Sequence, residues 1–304
     1  MKNIILDIVF TYVDNTDKKW INQKLKDCNI KNYKINLYNS DLNEIKYSVE
    51  SIKKYFKNNY RNIYFVTNNG KLPPCINRQD NYIPILYSSL VGNRTYNSCS
   101  IETSLHKIDN LSEYYLYFND DMLLGKKTYI SDFIDKKTNK LIWYSESNKI
   151  INFANKFPII TKIFNFGDNG CNESRNNLYK KLNYKKNPTP IAHCPRIFKK
   201  SIVIEFFKIF NKQIKKQKRK LLRSSSDYPF CDAFCFYNLK KNNIIYSNKY
   251  NTLILCQFNN NLLSFLYNKN ITQNEKFICI EDMRKKKNID KNVLNILSKH
   301  FTFD

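Results

Sequence analysis

The triplet Asn119-Asp120-Asp121 concentrates more potential chemistry than any other stretch of the chain. It follows Tyr114-Tyr115-Leu116-Tyr117-Phe118, an aromatic and aliphatic run that reads as a buried strand. Adjacent carboxylates repel each other and are costly to remove from water. Ligand sites in open α/β sheets form just beyond the carboxyl ends of strands. Two carboxylates there suit a hard divalent cation, which takes oxygen ligands and commonly bridges substrate phosphates. A plain solvated turn is the competing reading, since Asn and Asp are ordinary turn residues.

The elements that must position this triplet can be read around it. Ile4–Val13 is a near-continuous apolar run broken by Asp7 and Thr11, and predicts the first core strand. Asp14-Asn15-Thr16-Asp17 is a turn or cap signal, with Trp20, Ile21 and Leu25 on one face of a short helix behind it. Asp41 and Glu44 resemble a capping box, and Ile45, Val49, Ile52 and Phe56 then fall at helical spacing. Asn62–Thr67 reads as a second strand, closed by Asn68-Asn69-Gly70. Strand, helix, strand in that order predicts parallel, right-handed crossovers and an α/β fold with a mainly parallel, Rossmann-like sheet flanked by helices. Further helices are expected over Ile101–Leu111, Lys200–Lys216 and the Val293–Phe301 end. Residues 130–190 loosen into short Asn-rich pieces, read as an insertion or lid within one domain spanning 1–304.

Composition narrows the class. Hydrophobic residues make up 42% and aromatics 15%, which describes a globular chain and not a disordered one. No run approaches the roughly 20 apolar residues needed to cross a bilayer. Asp7 also comes too early for a signal-peptide core, so a soluble cytosolic protein is expected. Nine cysteines occur without a Cys-x-x-Cys pair and beside three histidines, which argues against a structural zinc site and for small buried hydrophobes. The formal charge of +25 would suit nucleic acid, an anionic membrane surface or an acidic polymer. A bias toward Lys, Asn, Ile and Tyr, with only five Gly, accounts for much of it. Lys212–Lys220 carries five lysines and one arginine and reads first as a solvated face, although it could attract a charged glycan or the inner membrane leaflet.

Four blocks of residues carry a family resemblance. The first is Asp7 to Asp17 with Trp20 beyond. The second runs from Tyr47-Ser48-Val49-Glu50-Ser51-Ile52 through Asn62–Asn68, Asn97-Ser98, Ile101-Glu102 and Leu105-His106-Lys107-Ile108 to Asn119-Asp120-Asp121. The third is His193-Cys194-Pro195 followed by Arg223 through Ser226-Asp227, and the fourth is Cys279-Ile280-Glu281-Asp282. In this order they resemble the Stealth family, which includes bacterial capsular polysaccharide phosphotransferases and the catalytic subunit of N-acetylglucosamine-1-phosphotransferase. Asn15 stands where the family usually has Gly, Tyr12 where it has Trp, and Glu281 where it has Asn.

The resemblance implies a glycosyltransferase-A-like fold and transfer of a sugar-1-phosphate from a nucleotide sugar of the UDP-HexNAc type to a glycan hydroxyl. A phosphodiester forms and UMP leaves, as in synthesis of surface or capsular polysaccharide. It implies a nucleotide-sugar pocket at Thr11, Val13, Asp14, Asn15 and Asn119, with His106 as a lesser candidate. Mg2+ or Mn2+ would sit on Asp120 and Asp121, with Asp282 as a weaker ligand. His193 would be the base for the acceptor hydroxyl, because an imidazole titrates near neutrality. Arg223 would grip phosphate with its planar fork, and Asp227 would orient Arg223 or His193. Two other readings compete. A metal-dependent glycosyltransferase would use the same donor and break the sugar–oxygen bond. A basic nucleic-acid-binding protein would fit the charge, but the chain shows no helix-turn-helix, zinc finger or aromatic RNA-binding signature, so no nucleic-acid partner is expected.

Overall fold

In a computed structural model, residues 4–30, 43–57, 59–146, 169–184, 189–224, 226–250, 252–257, 275–282 and 297 are described. The first strand, β1 (Leu6–Tyr12), is buried along nearly its whole length, as a β-branched and aromatic run flanked on both sides must be. Helix α1 (Lys18–Asp27) follows, capped by Asp17, whose Oδ1 accepts from the N–H groups of Lys19 at 3.0 Å and Trp20 at 3.2 Å. Helix α2 (Glu44–Tyr55) buries Ile45, Ser48, Val49, Ser51 and Ile52 on one face. Its N-cap is Asn43, in the left-handed region at φ 54°, and Glu44 is already its first helical residue. The expected Asp41–Glu44 box therefore does not start this helix, and Asp41 itself lies outside the described residues.

Next come β2 (Ile63–Thr67), β3 (Tyr82–Leu86), α3 (Tyr87–Val91), α4 (Ser98–Glu102), β4 (Tyr114–Asn119), β5 (Met122–Leu124) and β6 (Leu141–Tyr144). They are followed by α5 (Asn169–Lys181), β7 (Arg196–Lys199), α6 (Lys200–Ile209), α7 (Asn211–Lys218), α8 (Phe230–Lys240), β8 (Ile244–Ser247), β9 (Thr252–Gln257) and β10 (Phe277–Asp282). The central sheet has the order β3-β2-β1-β4-β7, parallel except for β7. The mainly parallel α/β architecture expected from the sequence is therefore present. A smaller sheet joins β5, β10 and β9, and β6 pairs with β8.

Three expectations are corrected. The helix expected over Ile101–Leu111 is α4 followed by a separate 3-10 turn at Leu105–Lys107. The helix expected over Lys200–Lys216 breaks at Phe210, φ −101° and ψ 24°, into α6 and α7, so that each half turns an apolar face inward. Asn15 does not use the left-handed region that its replacement of Gly suggested; Asn29, Asn43, Asn110, Asn139, Asn183 and Asn242 do. Of the expected insertion, residues 147–168 and 185–188 lie outside the described residues, while β6 and α5 belong to the described body. The expected C-terminal helix also lies outside them, apart from Leu297, which is buried.

One buried carboxylate locks the strand register. Asp7, fully buried, accepts from Arg61 Nε at 3.1 Å and Nη2 at 2.7 Å, from the Asn62 N–H at 3.1 Å and from the Ser112 N–H at 2.7 Å. Asn62 immediately precedes β2 and Ser112 precedes β4, so a single side chain in β1 fixes both neighbours. Asp7→Ala strands these donors and is expected to cost about 3–5 kcal/mol of stability, read from the urea unfolding midpoint. Arg61→Ala removes a half-exposed partner and costs less.

Candidate active site

In the central sheet β2 lies on one side of β1 and β4 on the other, so the chain reverses direction between β1 and β4. In open α/β sheets a ligand crevice forms at such a point, above the carboxyl ends of the two strands. Register places Thr11 of β1 directly beside Asn119 of β4. Both were expected to bind the donor, and the fold brings them together.

The Tyr117 hydroxyl lies at the centre of this crevice. It is 3.1 Å from Thr11 Oγ1, 3.1 Å from Glu102 Oε1 and 2.6 Å from Asn119 Oδ1. Asn119 Nδ2 in turn lies 3.4 Å from His193 Nε2, and His193 Nε2 is 3.5 Å from Asp121 Oδ2. The Cys279 thiol lies 3.6 Å from the same Asp121 oxygen. The tight turn between β4 and β5 holds Asp121 in place, and the Ile280 N–H bonds its carbonyl at 2.9 Å. Helix α2 steadies β5 from below: Ser48 Oγ donates to the Met122 carbonyl and Ser51 Oγ accepts from the Leu124 N–H at 3.0 Å.

Asp121, His193 and Cys279 offer one ligand atom each, all within 4.8 Å of one another. Asp121 Oδ1 is buried without a hydrogen-bond partner, as a cation ligand would be before the cation binds. The residues present therefore fit a divalent cation on Asp121. The cluster differs from the expected set, however. Asp120 is not part of it, and Asp282 is the last residue of β10, paired with Gln257. A mixture of oxygen, nitrogen and sulfur is also softer than the all-oxygen set that Mg2+ prefers.

Other expected residues have different surroundings. The Asp14 carboxylate is occupied within its own turn, accepting from the Thr16 N–H at 2.9 Å and the Thr16 hydroxyl at 2.6 Å. Its backbone is tied to the loop after β2, since the Asp14 N–H donates to Asn68 Oδ1 at 2.8 Å. Val13 and Asn15 sit in the same partly open turn, directly after β1. Arg223 donates to Ser98 Oγ at 2.5 Å, at the start of α4, and its charge reaches Glu102 at the other end of that helix. Asp227 orients neither Arg223 nor His193. It accepts from Lys220 Nζ at 2.9 Å and Asn97 Nδ2 at 2.9 Å, which lower its pKa, and so fastens the strap carrying Arg223. The basic run is thus partly structural: Thr95, Asn93 and Asn97 donate to the carbonyls of Lys220, Lys218 and Leu222.

His106 is a core residue. It is buried on its 3-10 turn, 4.4 Å from the Phe207 ring, with no described contact to the crevice network. Three residues of the crevice had no role in the sequence reading: Tyr117, Glu102 and Arg196. Burial pushes the Glu102 carboxyl up, against the pull of Arg196 and Arg223. A polar or charged residue inside an apolar strand, as Tyr117 and Arg196 both are, was the available signal.

Residues 38–142 match the family model Stealth protein CR2, conserved region 2. Over that region the chain is similar to the Stealth proteins. It is 30% identical over 244 residues to the capsular polysaccharide phosphotransferase fcs1 of Haemophilus influenzae, covering 77% of this chain and 65% of that protein. It is 31% identical over 108 residues to the N-acetylglucosamine-1-phosphotransferase subunits alpha/beta of Mus musculus, covering 34% of this chain and 9% of that one. The chain thus spans less than two thirds of the length of these curated proteins. In fold, it is similar to the apo structure of the bifunctional glycosyltransferase WbbM, with a TM-score of 0.50 and 10% identity, covering 99% of this chain and 50% of that one. That likeness confirms the glycosyltransferase-like sheet and nothing about the reaction.

Burial and the nearby Lys218, Lys107 and Lys200 push the His106 pKa from 6.5 down to about 3. The unfolded chain therefore takes up a proton at His106 near pH 6.5 that the folded chain refuses until about pH 3. Stability from this group is complete above pH 6.5 and is lost as pH falls toward 3. Urea unfolding between pH 7 and 4 is expected to show a slope approaching about 1.4 kcal/mol per pH unit from this residue, absent in His106→Leu.

Proposed function

We propose that this chain transfers a sugar-1-phosphate from a nucleotide sugar to a glycan hydroxyl, forming a phosphodiester and releasing a nucleoside monophosphate. The observation that carries this reading is the pairing of Asp121 with His193 at the β1/β4 crevice, inside a chain carrying a Stealth conserved region. Phosphoryl transfer asks mainly for positioning and charge neutralisation, and the crevice supplies both.

In this reading Thr11, Asn119 and the turn Val13-Asp14-Asn15 line the donor's place at the strand ends. The His193 imidazole takes the proton of the acceptor hydroxyl as its oxygen attacks phosphorus and the phosphoanhydride bond to the leaving nucleoside monophosphate breaks, with Asn119 and Asp121 beside the ring at Nε2. Arg223 draws the phosphate oxygens toward α4. A divalent cation held by Asp121 would neutralise the diphosphate; Mn2+ suits the softer neighbourhood of His193 and Cys279 better than Mg2+. Among the described residues no helix is long and apolar enough to cross a membrane. We place the work on the cytosolic side of the inner membrane, with the lysines of α7 and the exposed Ile204 and Ile209 of α6 facing its anionic surface.

The fold alone would equally serve a glycosyltransferase that moves the sugar without its phosphate, and the released nucleotide separates the two. Purified chain with UDP-N-acetylglucosamine, Mn2+ and a glycan acceptor is expected to release UMP. His193→Ala should lower that rate about 10²–10⁴-fold. Asp121→Asn should lower it with a raised cation requirement, and Tyr117→Phe about tenfold through loss of one buried hydrogen-bond hub. Release of UDP in place of UMP would overturn phosphotransfer in favour of glycosyl transfer.

A further inference from the structure

Arg196 opens β7 opposite Tyr117 of β4, so both side chains rise from the same face of the central sheet. Its Nε is buried with no hydrogen-bond partner. Among the described residues its guanidinium makes neither a hydrogen bond nor an ion pair. The carboxylate whose charge acts on it, that of Glu102, is occupied by the Tyr117 hydroxyl at 3.1 Å and the Cys231 thiol at 3.5 Å. An arginine has five N–H donors in a fixed fork, and on this half-buried side chain the buried Nε–H is left without an acceptor, which is costly unless a ligand supplies one.

Charge points the same way. Glu102 feels both Arg196 and Arg223, so two guanidiniums face this one carboxylate, a local excess of positive charge. The neighbouring charged or titratable groups, Cys231, Tyr117 and Cys194, are all held protonated by burial and do not offset it. The segment is also stiff: Cys194 and Pro195 are buried, and β7 is stitched to β4. Arg196 therefore stands three residues after His193, on a fixed strand, beside Tyr117 and below Asn119.

We propose that Arg196 is an anion-binding residue of the crevice, the inner partner of Arg223, and takes a phosphoryl oxyanion on its guanidinium. Identification of that anion as a phosphate rests on the phosphotransfer reading above. Glu102 is the resting counter-charge: it keeps the empty site tolerable without occupying the donors that the ligand needs. The planar fork matches two oxygens of a phosphate, which a lysine ammonium meets only as a point charge.

The test titrates the full chain with inorganic pyrophosphate by calorimetry, in wild type, Arg196→Gln, Arg196→Lys and Glu102→Gln. Arg196→Gln is expected to weaken binding by about tenfold or more, since hydrogen bonds to charged groups are worth at least that factor. Arg196→Lys should fall between, and Glu102→Gln should bind more tightly. The unfolding midpoint of Arg196→Gln without ligand should stay level or rise, because an unsatisfied group has been removed. Competition by UMP identifies a donor phosphate and competition by glycerol 3-phosphate an acceptor phosphate; either supports the site. Absence of pyrophosphate binding in wild type, equal binding in Arg196→Gln, or a lowered midpoint that accounts for the loss would overturn the inference. UMP release that survives Arg196→Gln unchanged overturns it while leaving phosphotransfer standing. Arg196-dependent pyrophosphate binding with no UMP released from any nucleotide sugar does the reverse.

Discussion

The Asp7 carboxylate, buried within an apolar strand, is the interaction on which the rest of the sheet depends. It is at the amino end of β1, yet its consequences appear at the carboxyl end. By taking donors from Arg61 and Asn62 ahead of β2 and from Ser112 ahead of β4, it fixes both parallel registers against β1. A strand slip of one residue would turn every side chain to the opposite face. Register at the bottom therefore decides that Thr11 stands beside Asn119 at the top. The energy of burying a carboxylate is offset by four hydrogen bonds, and what the fold gains is a defined crevice.

From that register a single connected set of polar groups follows. Tyr117 gathers Thr11, Glu102 and Asn119, and Asn119 passes the contact on to His193, which meets Asp121. Its members come from β1, α4, β4, the turn after β4 and the segment before β7. Phe198 of β7 stacks on Tyr115 of β4 at 5.3 Å and on Phe230 of α8 at 5.7 Å, so the antiparallel edge strand carrying Arg196 is anchored on both sides. Positioning to within a fraction of an ångström is what such chemistry asks, and rigid strands supply it better than loops do.

Much of this was legible in the chain. The strands around Phe10, Phe65 and Phe118 are hydrophobic on both faces, a pattern that reads as buried parallel sheet, and alternation with amphipathic helices set the fold class. Asp121, His193, Thr11 and Asn119 were recognisable from residue type and block order. His106 was not placed correctly, because a histidine beside Leu105 reads the same whether it faces ligand or Phe207. The partners of Asp227 and Arg223 were also hidden, since Asn97 and Ser98 lie more than a hundred residues away along the chain.

Local patterning and composition thus determined the α/β class, the first-strand turn with its Asp17 cap and the acidic triplet, because hydrophobic period and turn chemistry are properties of neighbouring residues. Only the tertiary structure decided that Cys279 and not Asp120 shares a cluster with Asp121 and His193, that Tyr117 gathers the crevice, and that Arg196 Nε has no acceptor among the described residues. Those facts depend on which distant strands pair and in what register, and pairing energy comes from contacts that no local stretch of sequence contains.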